Sequence, residues 1–327
     1  MRLLVTGAGG FVGGHLVELV RREAPDTSVH GVVLPHGSLG WSSSQGARIH
    51  EADLDDPAAA AAVIEEVRPD GIVHLAGQSS VHQSWLDPGG TLRTNVLGIV
   101  HLLDAARSAA LRPAVLVVGS AEEYGPVADA ELPIREDAPL RPASPYAVSK
   151  VAQGYLARQY FLSHGVPVVC TRTFHHTGPG RGEVFAESSF ARQIAEIEAG
   201  RQPPVISVGN LDAVRDFTDV RDVVRAYWAL LERGASGEAY NVCSGVGIRI
   251  GDLLERLVRL SNARVEVRVD PERLRPVDVP ALVGDKAKLA AATGWAPRIA
   301  LGETLKDLLD DWRVRSGSPA SAHGGSR

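Results

Sequence analysis

Cysteine is almost missing from this 327-residue chain, with Cys170 and Cys243 the only two. Each lies in an apolar run that reads as a buried strand, so both are expected to be small buried hydrophobes and not disulfide partners or metal ligands. An excess of positive charge is also lacking. Lys and Arg number 34 against 39 Asp and Glu, for a formal net charge of −5. Without a basic field the chain is not suited to hold a nucleic-acid backbone or an anionic membrane, and any phosphate must be bound locally. No apolar run reaches the roughly 18 residues that span a bilayer. The opening Leu3-Leu4-Val5 is too short for the apolar stretch of a secretory signal. A reducing cytoplasm is the expected setting.

What the chain does have is an ordinary globular composition, 44% hydrophobic and 22% charged. At about 150 residues per domain, its length suggests two units or one large α/β unit. Short apolar runs at Leu3 to Thr6, Val29 to Leu34, Gly71 to Leu75, Val115 to Val118 and Val166 to Thr171 read as strands. Between them, segments near 12–23, 57–67, 93–110 and 146–163 carry helically spaced apolar residues. This alternation predicts a doubly wound parallel sheet with helices on both faces, a Rossmann-type α/β fold. After residue 174 the alternation breaks into segments rich in Gly, Pro, Asn and Asp, and a helix near 220–233 and a strand near 239–243 return to the main sheet. The expected division is therefore residues 1–174 with 212–243 as the Rossmann domain, and 175–211 with 244–315 as a smaller, discontinuous α/β domain. The Ser/Gly/Ala/His-rich residues 316–327 are expected to be a disordered tail.

Gly7-Ala8-Gly9-Gly10-Phe11-Val12-Gly13 follows the first strand and opens a helix. Gly7 permits the tight turn, Gly10 lets backbone approach a pyrophosphate, and Gly13 allows close helix packing. The helix N-terminus, with Phe11 and Val12, offers amides and a positive dipole to the anion. The second strand ends without the acid that binds NAD ribose hydroxyls, which favours the 2′-phosphate of NADP(H), with NAD(H) the alternative. His36 is a candidate near that phosphate, and Asp53 and Leu54 sit where adenine would be contacted.

Tyr146 and Lys150 lie four apart at the start of a predicted helix and project from one face. A cation beside the phenol is expected to move its pKa from about 10 toward neutrality, making an acid–base pair for a sugar hydroxyl or ketone. Ser120, at the end of its strand, is placed to hydrogen-bond the reacting oxygen.

In order, Gly7-x-x-Gly10-x-x-Gly13, Asp53-Leu54, His74-Leu75-Ala76-Gly77, Ser120-x-x-x-Tyr124-Gly125, Tyr146-x-x-x-Lys150 and Arg215-Asp216-Phe217 resemble the extended short-chain dehydrogenase/reductases. The resemblance covers roughly residues 1–315. Gly209 to Phe217, Leu274 to Pro280 and Ala191 to Ile194 are most similar to the GDP-4-dehydro-6-deoxy-D-mannose reductases. The resemblance implies reduction of a GDP-linked 4-keto-6-deoxy sugar and a homodimer paired through helices 93–110 and 146–163. It makes Tyr146 the proton donor, Lys150 its partner on the nicotinamide ribose, and Ser120 the holder of the ketone. Leu75, Ala76 and Gly77 would line the cofactor. Arg215 would clamp the sugar-nucleotide pyrophosphate, with Ser79, Arg192, Asn210, Arg275 and Asp278 around the substrate. His175 stands where these enzymes carry an asparagine facing the substrate.

A GDP-mannose 4,6-dehydratase is the competing reading, because Glu122 stands where dehydratases place the glutamate that removes the C5 proton. Against it stand Ser120 where dehydratases generally have threonine, and the missing aspartate in the glycine turn. An epimerase and a non-catalytic NADP sensor are further alternatives. No metal site is expected.

Overall fold

The computed structural model describes residues 1–35, 46–261, 263–274 and 279–317. The first half of the chain runs β1 (Arg2–Thr6), α1 (Phe11–Glu23), β2 (Ser28–Val33), β3 (Arg48–Glu51), α2 (Pro57–Val67) and β4 (Gly71–His74). Short helices α3 (Val81–Leu86) and α4 (Pro88–Leu92) then lead through a π-helical turn, Arg93–Leu97, into α5 (Gly98–Ser108). Next come β5 (Ala114–Ser120), α6 (Pro145–His164) and β6 (Val168–Thr173). The predicted helix over 93–110 is thus split, because its first turn winds wider and turns Asn95 inward, fully buried.

The second half contributes β7 (His175–Thr177), α7 (Ala186–Glu198), β8 (Val205–Val208), β9 (Val214–Asp219), α8 (Val220–Arg233) and β10 (Ala239–Val242). It ends with β11 (Gly247–Arg249), α9 (Ile250–Arg259), β12 (Glu266–Val269), β13 (Ala281–Leu282), α10 (Ala287–Thr293) and α11 (Leu301–Arg315).

Seven strands form one sheet in the order β10-β6-β5-β4-β1-β2-β3, each parallel to its neighbours. Side chains alternate between faces along a strand. Leu3 and Val5 therefore join Leu16 and Val20 of α1 and Val223, Tyr227 and Leu230 of α8 on one face. Leu4 joins Ile64 of α2, Ile99 and Leu102 of α5, and Ala157 of α6 on the other. Strand order reverses beside β1, whose neighbours are β2 and β4, and ligands of such sheets bind where the chain leaves the carboxyl ends at this switch point.

A second sheet gathers β7, β9, β11 and β13, and β8 pairs with β12. The sequence pattern assigns residues 212–219 to the domain of the large sheet. Instead β9 hydrogen-bonds within the second sheet, and its buried carboxylates are satisfied locally. Asp216, for example, accepts from the Ser244 amide at 2.8 Å, the Ser244 hydroxyl at 2.6 Å and the Gly245 amide at 2.9 Å. Helices α7, α9 and α11 cover this part with Phe190, Ile194, Leu254, Leu257, Leu305 and Trp312.

Candidate active site

The turn after β1 sits at the switch point. Gly7 adopts φ +67°, which glycine alone adopts without strain. A Cβ there would lie 2.9 Å from the Ala76 amide nitrogen. Gly13 admits no side chain either, since a Cβ would lie 2.7 Å from Ala8 Cα and 2.8 Å from Ala8 O. Helix α1 follows Gly10, which offers no side-chain cap, and has no acid in its first turn, so its leading amides remain available to an anion. Thr6 ties this turn to β4: its hydroxyl accepts from the amides of Leu75 at 3.2 Å and Ala76 at 3.1 Å, and meets His74 Nδ1 at 2.9 Å. Gly77 follows, exposed and close to Lys150. A dinucleotide pyrophosphate fits this uncapped, glycine-walled terminus. Asp53 is exposed, Leu54 is buried, and the Leu54 carbonyl accepts from His101 at 2.7 Å. His36 lies outside the described residues.

Helix α6 begins where the site needs it to. Ser144 caps it by accepting the Ala147 amide at 3.1 Å, and Pro145 occupies the first helical position. Tyr146 and Lys150 therefore sit one turn apart on the buried side. The Ser120 side chain lies near enough to the Tyr146 phenol to act on it. Lys150 Nζ donates to the Val118 carbonyl at 3.0 Å and to Gln153 Oε1 at 2.9 Å, and stands 6.0 Å from the Tyr146 ring centre. The expected drop of the tyrosine pKa is not found. Burial pushes the phenol up to about 12, outweighing the opposite pull of Ser120, with Glu122 and Glu123 adding to the rise. Burial likewise brings the Lys150 ammonium down to about 8. A phenol in this state is a proton donor at neutral pH.

Ser120, Glu122, Tyr146 and Lys150 are brought together. Ser120 Oγ accepts the Glu122 amide at 3.2 Å, which turns Glu122 into the short 3₁₀ helix beside the phenol. The expected substrate residues are spread over other elements. Ser79 is exposed beyond β4. His175 on β7 packs its ring 5.5 Å from that of Phe217. Arg192 on α7 pairs with Glu183 at 2.8 Å. Asn210 is exposed in the turn before β9 and accepts the Asp212 amide at 2.9 Å. Arg215 is buried on β9, its guanidinium donating to the carbonyls of Val214 at 2.9 Å and Pro280 at 3.4 Å. Arg275 and Asp278 lie outside the described residues.

Several residues at this site escape a reading of the sequence. Asn95 hydrogen-bonds Gln78 and Ser149, bracing the backbone behind Gly77. His176 stacks on Phe11 with ring centres 6.2 Å apart. The half-buried Arg181 spans Phe11 and Phe185, at 5.1 and 3.4 Å from their ring centres, and pairs with Glu187 at 3.4 Å. The one available signal for Arg181 is a lone arginine in the Gly178-Pro179-Gly180-Arg181-Gly182 turn. Among the described residues no cluster of His, Cys, Asp or Glu is arranged to hold a metal ion. No described helix is long and apolar enough to cross a membrane.

Known proteins share this architecture. The GDP-6-deoxy-D-mannose reductase of Pseudomonas aeruginosa is 38% identical over 314 residues, 96% of this chain and 98% of that protein. A GDP-mannose 4,6 dehydratase of Caenorhabditis elegans is 29% identical over 338 residues, 94% of this chain and 87% of that protein. The solved structure of RMD from Pseudomonas aeruginosa complexed with NADPH superposes with a TM-score of 0.83 at 37% identity, covering 96% of this chain and 99% of that one. Across residues 4–308 the chain matches the GDP-mannose 4,6 dehydratase family, and it belongs to that family.

Proposed function

We propose that the protein is an NADPH-dependent ketoreductase that converts the C4 ketone of GDP-4-dehydro-6-deoxy-D-mannose to a GDP-6-deoxyhexose, either GDP-D-rhamnose or its C4 epimer. The observation that carries this reading is the buried phenol of Tyr146, one helical turn from Lys150 and near Ser120, which burial keeps protonated. The 38% identical reductase and the NADPH complex support it. NADP(H) is the favoured cofactor and NAD(H) the alternative.

NADPH, when bound, supplies the hydride that C4 of the sugar receives. Gly7, Gly10, Phe11, Val12 and Gly13 would seat its pyrophosphate, with Asp53 and Leu54 near adenine and Leu75 to Gly77 along the ribose. Lys150 would hold the nicotinamide ribose. Ser120 orients the ketone oxygen, and Tyr146 gives it the proton that completes the alcohol. Arg215, Arg192, Asn210, Ser79 and His175 would address the GDP-sugar. The division of labour puts the cofactor on residues 1–174 and 220–243, and the substrate on 175–219 and 244–315. Trp85, Leu86, Leu97, Val148, Tyr155 and Leu162 leave apolar surface on α3, the π-helical turn and α6, which supports a homodimer packed through these elements. Light scattering that gives a monomer mass at micromolar concentration would remove that part. Both cysteines are free, in keeping with a cytoplasmic protein.

The second reading, a 4,6-dehydratase, draws on one observation: Glu122 lies beside Ser120 and acts electrostatically on Tyr146. The test is transfer of label. With NADPH deuterated at the reactive position, the reduced sugar should carry deuterium at C4. Turnover of the 4-keto sugar without label at C4 would overturn the proposal.

A further inference from the structure

The roles assigned above to the sugar ketone and the cofactor make no use of Glu123, yet its carboxylate lies behind Ser120 at the base of the site. It is 4% exposed. One oxygen accepts the Ser120 backbone amide at 2.8 Å, and the other accepts Arg172 Nε at 3.3 Å. Arg172 is anchored in turn, its Nη1 donating to the Tyr124 hydroxyl at 3.1 Å and the Glu136 carbonyl at 2.8 Å. The carboxylate lies against Gly119, where a Cβ would collide with Glu123 Oε1 and the Thr171 carbonyl. Lys150 holds the carbonyl of Val118 on the same strand. A buried carboxylate and a buried ammonium thus grip residues 118 to 120 of β5, the strand that ends in Ser120.

We propose that Glu123, anchored by Arg172, is a positioning residue: it fixes the backbone of Ser120 and sets a negative charge behind Tyr146 and Lys150 that holds both in their protonated forms. The inference rests on Tyr146 being the proton donor. A nearby anion favours the protonated state of both a phenol and an amine. The groups around the pair are Glu122 and Glu123 from the 3₁₀ helix, Arg181 from the loop before α7, Tyr227 from α8, and His74 from β4, which burial keeps neutral with a pKa of about 3. Around Glu123 itself stand Arg172, Lys150, Tyr124 and Cys170. Burial raises its pKa, while the Ser120 amide, Arg172 and Lys150 pull the other way and favour the anion.

The test compares Glu123→Gln, which keeps the shape and can still accept the Ser120 amide but removes the charge, with Glu123→Asp, which keeps the charge and shortens the reach. NADPH oxidation by the 4-keto sugar is followed across pH, and NADPH affinity by fluorescence. In Glu123→Gln the alkaline limb of kcat/KM should move to lower pH by about half to one unit, because Lys150 and Tyr146 both release their protons more readily. In Glu123→Asp the limb should stay in place while the rate falls at every pH. NADPH affinity should be unchanged in both. A limb that does not move in Glu123→Gln, with the rate lowered evenly, would make Glu123 merely structural and overturn the proposal. Should Glu123→Gln not fold, Glu123→Met combined with Arg172→Met removes the whole ion pair, a replacement that buried pairs often tolerate; the limb should again move to lower pH, and the rate should also fall because the Ser120 amide loses its acceptor. Failure of the proton-donor reading would appear separately, as an unimpaired Tyr146→Phe.

Discussion

Replacing Tyr146 by Phe removes a single hydroxyl, and the structure sets how much should follow from it. The side chain is 9% exposed, its hydroxyl faces Ser120, and burial holds it protonated up to about pH 12. Across the neutral range essentially every molecule of wild type therefore carries the proton that the ketone oxygen must receive. The phenylalanine variant would have none, and a positioned acid contributes about 10² to 10⁴ in rate. That range corresponds to about 3–5 kcal/mol of barrier. Stability should change little, because one neutral hydrogen bond contributes only about 1 kcal/mol and the phenol's burial cost is removed with it. Cofactor affinity should hold as well, since Lys150 is fixed by Val118 and Gln153 and not by the phenol. Single-turnover oxidation of bound NADPH measures the chemical step, and a fluorescence titration measures binding. A Tyr146→Phe protein that binds NADPH and reduces the 4-keto sugar at the wild-type rate would refute the proton-donor role.

Three further outcomes are expected. Glu122→Gln should reduce the 4-keto sugar within about tenfold of wild type, or about 1.4 kcal/mol, because reduction at C4 requires no carboxylate at C5; a larger loss in a rate assay would count against the reductase. Gly13→Ala should destabilise the fold by about 1–3 kcal/mol in denaturant melts, since the new Cβ meets only backbone, and should weaken NADPH about tenfold by displacing α1 from the turn. Lys150 is a cation whose burial lowers its pKa to about 8, so its charge opposes folding below pH 8 and the penalty fades as pH rises toward its unfolded value near 10.5. Lys150→Met should therefore gain stability relative to wild type on going from about pH 9.5 to about pH 7, while losing activity; melts at the two pH values that show no difference would contradict the burial of a charged amine.

Much of the large sheet is legible in the sequence because its strands, covered on both faces, read as short continuous apolar runs, and its helices carry clear stripes. The helix expected near 220–233 is Val220–Arg233. The second half resists for physical reasons. Strand β9 is written Val-Arg-Asp-Phe-Thr-Asp, a loop by composition, and becomes a buried strand because amides of Ser244 and Gly245 and the side chain of Arg221 satisfy its carboxylates. Helix α7 buries Glu187, Ser188, Ser189 and Gln193, which interrupts its apolar stripe and hides its period. The glycine turn and Tyr146-x-x-x-Lys150 are readable because each is local, one strand-to-helix turn and one helical turn. Arg181, Asn95 and Glu123 are not, because their roles come from long-range contacts, with Phe11, Ser149 and Arg172 respectively. The direction of the Tyr146 pKa shift is misread from sequence for a related reason: spacing reveals the neighbouring cation but not the depth of burial that opposes it.

A net reduction at C4 consumes cofactor, and the cofactor balance of the wild-type protein shows whether it occurs. Supplied with NADPH and GDP-4-dehydro-6-deoxy-D-mannose, it should oxidise one NADPH for each sugar reduced, and supplied with GDP-mannose and NADP⁺ alone it should leave the sugar unchanged. Loss of water from GDP-mannose with no net change in the cofactor, abolished in Glu122→Gln, would contradict the account and establish the dehydratase in its place.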